Sequence, residues 1–218
     1  MAVTRLHLIR HGQSAKNVEG RFGGHSLTPL SELGKQQAQI TAETLSNENI
    51  SVIYSSDLPR AVQTAAPLGD ILGVEINKTS ALRERDVGVL EGLTFAEAKE
   101  HYPKDYFALV KRQVNRTITD GESYRDLLKR ATATLNEILR AHRGQKIAVF
   151  SHTGTICFLS LHLLGAIQPS TKTTPWLLTS NCGVNRFEIR GKNNTRVVAL
   201  NDTRHLLEIT GNNSFVAK

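Results

Sequence analysis

Short apolar runs of strand length alternate along this chain with longer segments of helical spacing, and that alternation limits the fold more than any other feature. Residues 3–9 form the first run, closed by the polar stop Arg10-His11-Gly12. Residues 31–45 have helical spacing, with Ser31 as N-cap and Leu33, Gln37, Ile40, Thr44 and Leu45 towards one face. A second strand over 50–54 ends in Ser55-Ser56-Asp57, where Asp57 caps a helix with Pro59 in its first turn. Residues 74–76 read as a third strand, and 94–120 as a polar, irregular stretch. An amphipathic helix over 122–142 then carries Leu127, Leu128, Ala131, Leu135, Ile138 and Leu139 on one stripe, with Gly144 as its stop. Strand 146–150, the loop Ser151-His152-Thr153-Gly154, an apolar helix over 155–164 and strands at 184–189 and 196–200 complete the series.

This pattern predicts an α/β fold: a three-layer α/β/α sandwich with a mostly parallel central sheet. It is expected to be a single domain over 1–218, with 94–120 as a short covering insertion. Ligands of such sheets sit beyond the carboxyl ends of the strands. That rule selects three loops, at Arg10-His11-Gly12, at 56–60 ending in Arg60, and at Ser151 to Gly154. Two of them carry a histidine and two an arginine.

Composition narrows the chemistry. Two cysteines, Cys157 and Cys182, and no C-x-x-C pair exclude a disulfide framework, a zinc knuckle and a thioredoxin-type site. The longest apolar run, over 156–167, is too short to span a bilayer and contains His162, and charge interrupts the N-terminus before any leader-type stretch. The expectation is a cytoplasmic protein with no membrane partner. A net charge of +7 favours anionic partners. No nucleic-acid motif accompanies it, so a small phosphorylated molecule is the expected ligand.

The three loops suit that ligand. An imidazole accepts a phosphoryl group when one ring nitrogen is free and the other is held by a hydrogen bond. Arginine forks bind phosphate oxygens, and a second histidine, when protonated, can share the charge of the transferring group. A proton donor for the leaving oxygen is still required. Glu84, which follows a strand, can supply it, because a neighbouring phosphate dianion favours the protonated carboxyl; Asp86 and Glu91 lie close by in sequence.

Four motifs now resemble, in order, those of the histidine phosphatase superfamily, which includes the cofactor-dependent phosphoglycerate mutases. They are Leu8-Ile9-Arg10-His11-Gly12-Gln13-Ser14 with Asn17, the stretch from Ser55 to Thr64, the stretch from Glu84 to Gly92, and Ser151-His152-Thr153-Gly154. The likeness extends to Asn201-Asp202-Thr203-Arg204-His205-Leu206 and so covers nearly the whole chain. It implies that His11 is the phosphorylated nucleophile and that Arg10, Arg60 and His152 form the phosphate pocket. Glu84 would serve as acid and then as base, with Gln13, Asn17, Gly23 and Gly24 on the substrate side. It also implies chemistry without a metal or other cofactor, in a monomer or homodimer.

Glu91 to Ala98, His101 to Tyr106 and Gly121 to Leu127 are similar to fructose-2,6-bisphosphatase domains, where a tyrosine matching Tyr124 contacts the sugar bisphosphate. The chain departs from that branch at Thr153 and Cys157, and Thr153 also replaces the glycine common after the second histidine. A hydroxyl there can donate to substrate or narrow the pocket. Lys111, Arg112 and Arg116 read equally as a solvated face or as substrate contacts. Arg125, Lys129, Arg130, Arg140 and Arg143 are expected to solvate the long helix. The leading expectation is a phosphatase of small phosphate monoesters. A phosphoglycerate mutase-type transferase ranks second, because the loop after His152 lacks the asparagine of that group, and a phosphate-binding module without turnover ranks third.

Overall fold

The computed structural model describes residues 2–191 and 194–210. Six strands form one sheet: β1 (Thr4–Arg10), β2 (Val52–Ser56), β3 (Ile76–Thr79), β4 (Lys146–Ser151), β5 (Val184–Ile189) and β6 (Thr195–Asp202). Their spatial order is β3-β2-β4-β1-β5-β6, with β1 to β4 mutually parallel and β5 antiparallel to both β1 and β6. Eight α-helices accompany them among the described residues: α1 (Ala15–Val18), α2 (Glu32–Ser46), α3 (Pro59–Leu72), α4 (Phe95–His101), α5 (Pro103–Val110), α6 (Tyr124–Ala141), α7 (Thr153–Leu163) and α8 (Leu207–Thr210).

The expected sandwich follows from alternation along the buried strands. Ile147 and Val149 of β4 join Leu6 and Leu8 against Ala131, Leu135 and Ile138 of α6 and Ile156 and Leu159 of α7. Ala148 and Phe150 join Ile9 and Ile53 on the opposite face, against Ala42 and Leu45 of α2 and Ala65 and Leu68 of α3. Neither face of the central strands meets water, as a parallel sheet requires.

Several local expectations shift. The buried stripe of α2 is Gly34, Gln37, Ala38, Thr41, Ala42 and Leu45, so Leu33, Ile40 and Thr44 flank the contact instead of filling it. At Gly34 the helix lies so close to the loop after β1 that no side chain fits between them. Asp57 does not cap α3. Leu58 holds that position without a side-chain bond, and Pro59, having no N–H, removes one of the groups a cap would serve. The Asp57 carboxylate instead takes both arms of Arg83 at 2.6 and 2.7 Å, a bidentate ion pair in place of a single backbone N–H bond. The third strand begins at Ile76, not 74, and α6 starts after a Ser123–Asp126 capping box. Helix α7 begins at Thr153, directly behind His152.

The insertion is ordered, not irregular. Thr94 and Glu97 form a capping box on α4, Pro103 opens α5, and Ala98 and Ala108 pack with Val87, Leu90 and Ile118 in a small core of their own. Nor do Arg125 and Arg130 merely solvate α6. Arg125 donates to the carbonyls of Gln168, Pro169 and Thr171, and Arg130 turns inward to Glu122 and the backbone near Glu84.

The loop after β1 presses against the first turn of α2. A Cβ on Gly34 would overlap the Gln13 carbonyl oxygen, and one on Gly12 would stand 2.6 Å from the Gly34 carbonyl oxygen. Both obstacles are backbone, which cannot rotate away. Gly34→Ala is expected to cost about 1–3 kcal/mol in urea unfolding and to lower turnover in the folded fraction, because the displaced loop carries His11.

Candidate active site

Strand pairing brings the two histidines together. Arg10 of β1 stands opposite Ser151 of β4, so the residues that follow, His11 and His152, leave the sheet side by side with ring centroids 5.1 Å apart. His11 Nδ1 donates to the Gly12 carbonyl at 2.7 Å, which fixes the tautomer and leaves Nε2 with its lone pair. Burial, reinforced by Arg60 and Arg10, holds His11 well below the usual histidine range and therefore neutral. His152 is depressed in the same way, by burial and then by Arg60, His11 and Arg10. Its Nε2 lies 2.9 Å from Ser56 Oγ, which already accepts from the Leu58 N–H. When the Ser56 hydroxyl donates to Nε2, Nδ1–H remains as a donor, and that buried nitrogen has no partner among the described residues.

Two guanidinium groups border the histidines. Arg60, in the first turn of α3, is 3% exposed and donates to the Ser26 and Gly24 carbonyls at 2.9 and 2.8 Å. Burial lowers it to about 10, so it stays cationic at neutral pH. Arg10 donates to the Thr179 carbonyl at 2.7 Å, while its buried Nε has no partner among the described residues. Burial lowers its pKa, and the opposing charge of Glu84 offsets part of that. Glu84 sits beyond β3 after a 3-10 turn. Its carboxylate accepts from the backbone N–H groups of Arg85 and Gly154, each at 2.9 Å. The second bond exists because residue 154 is glycine; a Cβ there would overlap the Glu84 carboxylate. Two cations facing one carboxylate leave a positive hollow matched to a phosphate dianion.

The remaining expected residues are distributed around this centre. Gln13 Oε1 accepts from the Ser31 hydroxyl at 2.7 Å. Asn17 Oδ1 caps α1 through the Ser14 N–H and takes a bond from Asn181, whose amide also reaches the His11 carbonyl. Gly23 lies alongside the Arg60 guanidinium, and Gly24 holds it through its carbonyl. The Thr153 hydroxyl is buried and without a partner among the described residues. Tyr124 stacks on Phe158 at 4.8 Å with Arg85 over its ring at 4.0 Å, and burial pushes its phenol up to about 12. Lys111 and Arg112 lie over Phe107 and Trp176, and the Arg116 carbonyl accepts from Arg85. Of the carboxylates near Glu84 in sequence, Asp86 accepts from the Gly88 N–H and Glu91 from the His25 N–H. Among the described residues no group of three or more His, Cys, Asp or Glu side chains is placed to hold a metal ion, and no helix is long and apolar enough to cross a membrane.

Sequence reasoning missed Arg85, Glu122, Arg130 and Asn181. Arg85 is 1% exposed and had no local signal, since a charged residue in a polar stretch ordinarily faces water. Asn181 reaches His11 from a segment 170 residues away.

The sequence profile of the histidine phosphatase superfamily (branch 1) matches residues 6–203, and the chain belongs to that family. Phosphoglycerate mutase-like protein 4 of Arabidopsis thaliana is 36% identical over 207 residues, 92% of this chain and 86% of that protein. Phosphoserine phosphatase 1 of Hydrogenobacter thermophilus is 34% identical over 163 residues, 75% of this chain and 77% of that one. The human 6-phosphofructo-2-kinase/fructose-2,6-bisphosphatase 1 is 34% identical over 161 residues, covering 72% of this chain and 32% of its own length. Among solved structures, a mycobacterial glucosyl-3-phosphoglycerate phosphatase complexed with VO3 superimposes with a TM-score of 0.80 at 28% identity, over 91% of this chain and 99% of that one.

The depressed histidines couple stability to pH. Unfolded imidazoles take up protons as the pH falls through about 6.5, whereas His11 and His152 in the folded chain do not. Their contribution is complete above that pH and is lost below it, by at most about 1.4 kcal/mol per pH unit for each ring. Urea unfolding between pH 6.5 and 5 is expected to show falling stability, with a shallower slope in His11→Gln; an unchanged slope would show that His11 protonates normally in the fold. Gly154→Ala is expected to lower turnover by evicting the Glu84 carboxylate while leaving inorganic phosphate binding within about threefold, read by titration calorimetry.

Proposed function

We propose that this chain is a metal-independent phosphatase of small phosphate monoesters that works through a phosphohistidine on His11. The observation that supports it most is the state of His11: neutral, with Nδ1 tied to Gly12 and Nε2 free, between two arginines and beside His152. Nε2 attacks phosphorus as the bond to the leaving oxygen breaks, and Glu84, which takes up a proton when the phosphate dianion binds beside it, gives that oxygen the proton. Arg10, Arg60 and His152 hold the equatorial oxygens, where charge accumulates. Glu84, now a carboxylate, takes a proton from the water that attacks the phosphohistidine, releasing phosphate and restoring His11. The phosphatases among its relatives and structural neighbours support hydrolysis.

The finer assignments belong to the same reading: the named site roles, a sugar phosphate or related metabolite as substrate, a monomer or homodimer, and a cytoplasmic location. Both cysteines are buried and unpaired, which supports a reducing compartment. Several relatives carry mutase or mutase-like names, so a phosphoglycerate mutase-type transfer stands as the second reading. The deciding assay follows 3-phosphoglycerate with excess chelator present. Phosphate release supports the phosphatase, and 2-phosphoglycerate without phosphate release reverses the order.

His11→Ala is expected to remove both turnover and the acid-labile phosphoenzyme while remaining folded. Glu84→Gln is expected to slow alkyl phosphates by about 10²–10⁴-fold and p-nitrophenyl phosphate far less, since nitrophenolate leaves without a proton. Equal losses on the two substrates would remove Glu84 from the acid role.

A further inference from the structure

The segment that carries Glu84 has no sheet or helix of its own. It lies between the 3-10 turns Ser80–Leu82 and Gly88–Leu90, yet a carboxyl that must reach a leaving oxygen needs a fixed backbone. Side chains take the place of a ladder. The Leu82 carbonyl accepts from Ser151 Oγ at 2.7 Å, that of Arg83 from Thr155 Oγ1 at 2.8 Å, and that of Glu84 from His25 Nε2 at 2.8 Å. Most of the remaining bonds come from one group. Arg130 spends all five N–H bonds here: Nη1 on the carbonyls of Ala81 and Arg83, both at 2.9 Å, Nη2 on the Glu84 carbonyl at 2.7 Å and Glu122 Oε2 at 2.9 Å, and Nε on Glu122 Oε1 at 2.8 Å. Glu122 Oε2 also accepts from the Asp86 N–H at 3.0 Å. The ion pair therefore grips the chain on both sides of Glu84.

We infer that Arg130, with Glu122, is a positioning residue for the proton donor Glu84, acting through the backbone of residues 81–86; the inference rests on the acid role of Glu84 in the reading above. Among the described residues, the Glu84 carboxylate receives only the Arg85 and Gly154 N–H groups. Its distance from the leaving oxygen is thus set by where the main chain is held. A lysine at 130 keeps the charge but offers a point of rotatable donors in place of the planar fork that joins three carbonyls to one carboxylate.

The test compares wild type, Arg130→Lys, Glu84→Gln and the double variant on an alkyl phosphate that the enzyme turns over and on p-nitrophenyl phosphate. For Arg130→Lys the expected result is a loss of about ten- to a hundredfold in kcat on the alkyl ester, with KM and nitrophenyl turnover within about threefold. In the Glu84→Gln background, Arg130→Lys is expected to change alkyl turnover by no more than about twofold, because the group it positions is already absent. Equal losses on both esters, no loss, or additive losses in the double variant would overturn the inference. If Arg130→Lys does not fold, Glu122→Gln decides. Its amide removes the charge and replaces one acceptor oxygen facing Arg130 with a donor, and the same split is expected at about three- to tenfold, with a uniform loss or none overturning the inference. If Glu84→Gln itself shows no dependence on the leaving group, the acid assignment fails, and Arg130 loses its proposed object for that separate reason.

Discussion

Parallel pairing of β1 with β4, in the register that sets Arg10 against Ser151, governs the geometry of the site. A parallel ladder sends both chains out of the same sheet edge, so the loops after β1 and β4 emerge as neighbours although 140 residues of chain separate them. β2 and β3 continue the parallel run and deliver Ser56, Arg60 and, one turn later, Glu84 to the same edge. Both faces of β4 are packed with side chains of different shape, Ile147 and Val149 towards α6 and α7, Ala148 and Phe150 towards α2 and α3, so a one-residue slip would misfit both layers.

Burial then tunes the chemistry. Water is largely excluded around His11 and His152, which keeps both rings neutral where an exposed imidazole would begin to charge. Arg60 is buried as well, but its intrinsic basicity leaves it cationic. The hollow therefore combines a neutral imidazole, its Nε2 left with a lone pair, with fixed positive charge, an arrangement suited to an anionic group. The Glu84 carboxyl enters at the rim, where the glycine at 154 lets it reach a helix N-terminal N–H.

Legibility in the sequence followed locality. The strand and helix series, the sandwich and the loop residues His11, Arg60 and His152 could be read because each depends on hydrophobic period or on position next to a strand end. Capping was legible only in part. Ser31 serves α2 as expected, but Asp57 is drawn away by Arg83, a partner 26 residues further on. The insertion has no clear period in the sequence because its helices are short and their apolar residues meet Val87 and Leu90 from outside it.

The sequence by itself determined the order of the elements, the layers they form and the identity of the groups at the strand ends, since periodicity, turn residues and motif order are all carried by neighbours along the chain. Tertiary structure alone decided which charged residues face inward. Arg85 over Tyr124, Arg130 gripping the backbone of Glu84 and Asn181 at His11 all join segments far apart in sequence. A guanidinium is solvated or buried according to the carbonyls and carboxylates that the fold brings to it, and no residue beside it in the chain records that choice.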